Sequence, residues 1–180
     1  MKDRGINVVI FGPHAGGIEP GTSELVTAIA GQELSLYLFE GKKPKGNGVL
    51  HITSTNFDEP EALAILVAYE KAIAFHGEGS EAQTVYVGGR DKELRPYIEE
   101  RLEEAGFALA NHDNLRLQGT SSENICNRCA SGAGMQLELS HGLRQRFFHS
   151  LSASGRCHPT EKFNQFVQAI RAGLERANAF

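Results

Sequence analysis

Residues 11–24 read FGPHAGGIEPGTSE and directly follow the apolar run at residues 7–10. The run is typical of a buried strand, and the apolar periodicity over 22–31 predicts a helix. Glycines between the two allow the backbone to turn tightly. A buried strand, a turn and a helix in succession indicate an α/β fold, with His14 and Glu19 at the point where the strand ends.

Strands and helices continue to alternate along the chain. Apolar runs and period-two patterns predict strands over 6–11, 33–40, 49–53, 71–75, 84–87, 107–110 and 135–139. Helical periodicity with capping residues predicts helices over 22–31, 59–69, 91–105 and 160–177. We therefore predict a three-layer α/β fold, with a mixed, mostly parallel sheet and helices on both faces, formed by residues 1–180 as a single domain.

The composition excludes several classes of partner. Of the 180 residues, 41% are hydrophobic and 22% are charged, and the net charge is -4. No apolar run has the length of a membrane span. A mildly acidic chain also lacks the basic surface that nucleic acid requires. We expect neither a membrane nor a nucleic-acid partner, and we expect a monomer.

The amino terminus and the cysteines bear on the compartment. The segment MKDRGINVVIF lacks the long apolar region and the cleavage site of a signal peptide. Three cysteines, an odd number, fit a reducing compartment better than a disulfide framework. We expect synthesis in the cytoplasm without a signal peptide, with release on cell lysis as one route to the outside.

Metal-binding side chains recur where predicted strands end. His14 and Glu19 follow the first strand, His76 follows the strand over 71–75, and Glu138 lies in the last strand. Sites of α/β sheets gather at the carboxyl ends of the strands. Two imidazoles and one carboxylate are the protein ligands of a catalytic zinc site, which leaves one position open for water. Glu138 is then a candidate general base.

Other residues support competing interpretations. The histidines without a glycine at a strand end are expected to be structural or solvated: His51, His112, His141, His149 and His158. Cys126 and Cys129 form a CxxC pair that, with Cys157, is a candidate structural zinc site of a non-enzymatic binding module. The glycines of residues 11–24 also suit an anion, although the lysine of a P-loop is absent.

Seven segments taken together carry a more specific signal. In order, they resemble the phage-type poly-γ-glutamate hydrolase family from residue 8 to about residue 150: PHAGGIEPGTSELV, SLYLFEGKK, LHITSTNFDEP, IAFHG, VYVGG, NICNR and GMQLELS. That family is similar in fold to the zinc carboxypeptidases. The resemblance implies a zinc hydrolase domain with one zinc per chain.

The resemblance also implies residue roles and a substrate. His14, Glu19 and His76 would bind zinc, and Glu138 would be the catalytic base. Asn127 and Arg128 resemble the pair with which zinc carboxypeptidases hold a substrate carboxylate, and a guanidinium suits that task because it binds a carboxylate through two parallel hydrogen bonds.

The implied substrate is anionic poly-γ-glutamate or a related acidic peptide, cleaved at γ-glutamyl amide bonds. A small acylated acidic amino acid is the alternative substrate for the same chemistry. Arg144 and Arg146 follow the last strand and are expected to be solvated.

Overall fold

The structure, a computed structural model, describes residues 1–4 and 7–179. The strands of this part of the chain are β1 Val8–Gly16, β2 Ser35–Gly41, β3 Lys71–Gly77, β4 Thr84–Gly89, β5 Ala108–Ala110 and β6 Met135–Leu139. The α-helices are α1 Thr22–Ala30, α2 Pro60–Val67, α3 Arg95–Glu104, α4 His141–Phe147 and α5 Glu161–Arg176. None of these helices combines the length and the apolar character needed to cross a bilayer.

The strands form one sheet in the order β2-β1-β3-β6-β4-β5. β1 pairs in parallel with β2 and β3, and β3 pairs in parallel with β6. β4 runs antiparallel to β6, and β5 is parallel to β4. The predicted mixed, mostly parallel sheet is confirmed. Its consequence is that the carboxyl ends of β1, β3 and β6 meet at the same edge.

Helices cover both faces of the sheet. Side chains alternate along each buried strand, so each strand presents apolar groups to both faces. Val8 and Ile10 of β1 pack into the larger apolar cluster, which includes α1, α3, α4 and α5. Val9 and Phe11 pack into the smaller cluster on the opposite face, which includes α2. The predicted three-layer arrangement is therefore confirmed.

Some boundaries differ from those predicted. The strand predicted over 49–53 is wrong: a 3₁₀ turn spans Asn47–Leu50 and is preceded by Gly46, whose φ is +71°. Two glycines around Asn47 favour a turn over a strand. β1 continues to Gly16 and so contains His14, whereas Ile6, the first residue of the predicted strand, lies outside the described residues.

Candidate metal centre and catalytic site

A bulge in β1 presents His14 at the edge of the sheet. Where β2 has only Phe39 between two paired positions, β1 has two residues, Pro13 and His14. Proline suits such an irregularity because it has no N–H to donate to the ladder. A bulge redirects a side chain relative to a regular strand. The sequence placed His14 after the strand, but it is this bulge within β1 that positions its ring.

The hydrogen bond to Ile52 fixes which nitrogen of His14 is available. Nε2 of His14 lies 2.6 Å from the carbonyl oxygen of Ile52. Since a carbonyl only accepts, Nε2 carries the proton and donates it. Nδ1 of the neutral ring is then left with a lone pair. Orienting one ring nitrogen so that the other can bind a metal is typical of metal-ligating histidines.

The turn after β1 brings Glu19 against His14. Oε1 of Glu19 lies 3.0 Å from His14 Nδ1, and its Oε2 accepts a 2.8 Å hydrogen bond from the backbone N–H of Gly77. Gly16 makes this turn possible: its φ is +70°, and a Cβ there would lie 2.7 Å from the carbonyl oxygen of Gly41. The Glu19 carboxylate therefore bridges the ends of β1 and β3.

His76 completes a group of converging donor atoms. It lies near the end of β3, with Nδ1 3.1 Å from His14 Nδ1 and 3.7 Å from Oε2 of Glu19. Its Nε2 is buried and has no hydrogen-bond partner among the described residues. The three residues that the sequence placed at strand ends thus meet at one point.

His51, expected to be structural or solvated, also lies at this point. Its Nε2 is 3.3 Å from Oε1 of Glu19, and its ring stacks on His14 at a centroid distance of 3.9 Å. His51 follows the 3₁₀ turn rather than a strand, so the expectation of metal-binding side chains at strand ends did not include it. Its place next to Ile52, which binds His14, is a long-range contact that local sequence patterns do not indicate.

The donor spacing fits a zinc ion. Ligand atoms about 2.0–2.1 Å from a tetrahedral zinc lie about 3.3 Å apart. Oε1 of Glu19 lies 3.0 Å from His14 and 3.3 Å from His51, and Oε2 lies 3.7 Å from His76. The Nδ1 atoms of His14 and His76 are 3.1 Å apart. His14, Glu19 and His51 have one ligand atom each within 4.8 Å of one another. Imidazole and carboxylate are both common zinc ligands, so the group can hold the ion.

The protonation states of Glu19 and His76 also suit a cation site. Burial acts to raise the pKa of Glu19, but hydrogen bonds to His14 and His51 outweigh it and hold that pKa well below its usual range. Burial lowers the pKa of His76 to about 3, so the ring is neutral. His51 differs, because its hydrogen bond to Glu19 raises the pKa of the ring and so favours the protonated form. An ionised carboxylate and neutral imidazoles are the forms in which these side chains bind metals.

Glu138 lies beside the candidate metal ligands. It is the in-register neighbour of His76 on β6 and accepts a 2.9 Å hydrogen bond from Nε2 of Gln136. Burial raises its pKa well above the usual range, and the charges of Glu19 and Glu78 add to the effect. A carboxyl group with a raised pKa exchanges protons more readily near neutral pH, as a general base and acid must.

These groups open onto one cavity. Its volume is about 210 Å³, and both predicted histidine ligands line it together with Glu19, His51 and Glu138. A cleft at the carboxyl ends of parallel strands is the usual place for a site in an α/β sheet. The arrangement combines a candidate cation site with a candidate proton acceptor in a single cavity.

Arg144 fastens the loops that carry these residues. Its guanidinium donates to the carbonyl oxygens of Pro20, Glu78 and Leu139 at 2.8, 2.9 and 3.1 Å. Pro20 and Glu78 follow β1 and β3, and Leu139 is the last residue of β6, so Arg144 holds the three strand ends together. The expectation that Arg144 is solvated is wrong, since it is buried, whereas Arg146 is exposed as expected.

Replacing Arg144 with alanine should destabilise the fold by about 3 kcal/mol, because one buried and two partly buried carbonyls lose charge-assisted hydrogen bonds. Chemical denaturation measures the change in the free energy of unfolding. Arg146→Ala, on the same helix but exposed, is the matched control and should stay within about 0.5 kcal/mol of wild type. Equal stability of the two variants would contradict the role of Arg144 in holding the three strand ends together.

Comparison with known proteins decides the family. The family described as poly-gamma-glutamate hydrolase matches residues 1–169. The chain belongs to this family. The resemblance drawn from the seven sequence segments is confirmed, and the protein is a hydrolase.

Individual relatives are similar to the chain in sequence and fold. The chain is 41% identical over 172 residues to UPF0714 protein YndL of Bacillus subtilis (strain 168), spanning 94% of this chain and 68% of YndL. A bacteriophage poly-gamma-glutamate hydrolase structure matches with a TM-score of 0.93 and 40% identity, over 97% of this chain and 86% of that one. The zinc-free apo form of YndL matches with a TM-score of 0.89 and 40% identity, over 97% and 87%.

Asn127 and Arg128, predicted to bind substrate, lie outside the residues that line the cavity of this family member. The amide of Asn127 donates to the backbone oxygens of Gly119 and Ser121 and accepts from the N–H of Gly134. Arg128 is half-exposed and pairs with Glu123 at 2.9 Å. Substrate binding by this pair stays a prediction, and it requires Arg128 to leave Glu123.

The cysteines do not form the alternative metal site. Cys126 and Cys129 are buried in the apolar cluster on the α2 face, whereas Cys157 is exposed. Within residues 1–4 and 7–179, the group with metal-binding geometry is the one around Glu19 and contains no cysteine. Burial holds the pKa of the Cys126 thiol above its usual range, which disfavours the thiolate that binds zinc.

Proposed function

We propose that the protein is a zinc-dependent amidohydrolase that cleaves γ-glutamyl amide bonds of poly-γ-glutamate. One observation carries the proposal: the ligand atoms of His14, Glu19 and His76 converge beside Glu138 in a single cavity. Membership of the poly-γ-glutamate hydrolase family supports the choice of substrate. One zinc per chain is proposed, with these three residues as ligands and His51 beside them.

The residues of the chain divide the chemistry between them. A bound zinc lowers the pKa of a coordinated water to about 7 and polarises a carbonyl. Glu138 accepts the proton of the attacking water and then donates it to the leaving amine. Gln136 holds Oε1 of Glu138 by its 2.9 Å hydrogen bond, so the carboxylate keeps one orientation through both transfers. The carbonyl oxygen of Ile52 accepts the Nε2 proton of His14, so Nδ1 is the nitrogen that His14 offers to the metal.

The assay uses long poly-γ-glutamate, with α-linked polyglutamate as the control polymer. The zinc-loaded protein should shorten the γ-linked chain and leave the α-linked chain intact, because the two differ in the amide bond presented to the site. Size-exclusion chromatography measures product length, and new primary amines count the bonds cut. An endo-acting hydrolase releases oligomers rather than single residues.

Two results contradict this proposal. Failure to cut the γ-linked polymer, together with hydrolysis of N-acetylglutamate or N-formylglutamate, would favour the alternative substrate, a small acylated amino acid. Equal cutting of both polymers would show that the site does not select the γ-amide bond.

A further inference from the structure

A second cavity adjoins the candidate catalytic cavity. Its volume is about 580 Å³. Four residues line both cavities: Thr53, Thr55, Arg116 and Asn124. We call it the Arg116 cavity. Because the two share a wall, a chain bound across the catalytic cavity has space to continue into the Arg116 cavity.

The charge of the Arg116 cavity differs from that of its neighbour. The catalytic cavity is lined by the carboxylates of Glu19, Glu78 and Glu138. No carboxylate lines the Arg116 cavity among the described residues, and Arg116 is its charged side chain there. The other polar groups are hydroxyls and amides. In a protein of net charge -4, this cavity is a local environment in which an anion is not repelled.

The guanidinium of Arg116 is available for a ligand. The side chain is exposed, and within the described part of the chain no carboxylate forms an ion pair with it. By contrast, Arg128 pairs with Glu123, and Arg144 is bound to three carbonyls. A free guanidinium fork binds a carboxylate through two parallel hydrogen bonds.

The 3₁₀ turn Leu115–Leu117 carries Arg116 and is fixed relative to Glu138. Nε2 of Gln136 donates both to the carbonyl oxygen of Leu117, at 3.0 Å, and to Oε1 of Glu138, at 2.9 Å. The carbonyl oxygen of Gln118 accepts a 2.8 Å hydrogen bond from the N–H of Gly89 on β4. Glu138 and the 3₁₀ turn that carries Arg116 therefore share Gln136 as a hydrogen-bond partner, which fixes the distance between them.

We propose that the Arg116 cavity is a substrate subsite in which Arg116 binds the α-carboxylate of a glutamyl unit flanking the cleaved bond. The inference rests on the proposed function. Poly-γ-glutamate carries one free α-carboxylate per residue, and Arg116 is the arginine among the described residues that line the two cavities. A guanidinium where the two cavities meet binds one such carboxylate and fixes the register of the chain.

The test compares Arg116→Gln with wild type on poly-γ-glutamate and on the same polymer with its α-carboxylates methyl-esterified. The matched control is Arg90→Gln, since Arg90 is also exposed but lines neither cavity. We expect Arg116→Gln to lower kcat/KM on the free-acid polymer about 10-fold, through KM, because one charge-assisted contact is lost. Its preference for the free acid over the ester should fall by the same factor. Arg90→Gln should match wild type.

Each outcome separates the subsite from the proposed function. A wild-type protein that cuts the polymer, together with an Arg116→Gln variant that keeps wild-type KM and ester discrimination, would overturn the subsite and leave the function intact. An equal loss in Arg116→Gln and Arg90→Gln would also overturn the subsite, since the loss would then follow from the change in net charge and not from a contact at Arg116. A wild-type protein that cuts neither polymer would overturn the proposed function itself.

Discussion

Glu138→Gln should lower kcat on poly-γ-glutamate about 10³-fold and leave zinc bound. Glutamine has nearly the shape of glutamate, and its side-chain oxygen can still accept the hydrogen bond from Gln136. An amide, however, does not take up a proton from water near neutral pH. The change therefore removes proton transfer while the proposed ligands His76 and Glu19 stay in place. Steady-state kinetics and elemental analysis of the same sample measure the two effects.

The control for this variant is Glu81→Gln. Glu81 is an exposed carboxylate near the start of α4 that pairs with His141 at 2.8 Å, and it does not line the catalytic cavity. Its replacement changes the net charge by the same amount and should leave kcat unchanged. A Glu138→Gln variant that retains more than about a tenth of the wild-type kcat would show that another group accepts the proton.

His14→Ala should abolish zinc binding and lower the rate at least about 10³-fold, because a metal contributes several kcal/mol of stabilisation to the transition state. The substitution removes the Nδ1 ligand atom and also the hydrogen bond that ties β1 to Ile52. Rates measured over rising zinc concentrations report whether added metal restores activity, and we expect no restoration.

A second variant guards against a folding defect in His14→Ala. Glu19→Gln keeps an oxygen for the N–H of Gly77 but loses the negative charge at the centre of the ligand group. It should weaken zinc binding while unfolding at nearly the wild-type denaturant concentration. If either variant regains full activity at micromolar zinc, the ligand assignment is wrong.

The parts of the site that lie on regular strands could be predicted from the sequence. Glu138 was found because MQLEL alternates as a strand does, and His76 because it ends a buried apolar run. Parallel pairing then places the two as in-register neighbours. The alternation of strands and helices predicts the fold class but not the order of the strands in the sheet. The place of the antiparallel β4 beside β6 was therefore not predicted.

The parts that depend on long-range contacts could not be predicted. Arg144 lies on a short helix after β6, where a local pattern indicates an exposed charge, yet it donates to carbonyls more than sixty residues away in sequence. His51 lies on a segment without regular structure and reaches the site through its contact with Glu19. The bulge at His14 depends on pairing with β2, which sequence periodicity does not show.

The most direct test of the zinc hydrolase assignment is the metal content of purified wild type, His14→Ala and Cys126→Ala, measured by elemental analysis. The geometry around Glu19 leads us to expect about one zinc per chain in wild type and in Cys126→Ala, and none in His14→Ala. Zinc that persists in His14→Ala but is lost from Cys126→Ala would place the metal at the cysteines. That result, or a wild-type protein that binds no zinc, would contradict the account of the site.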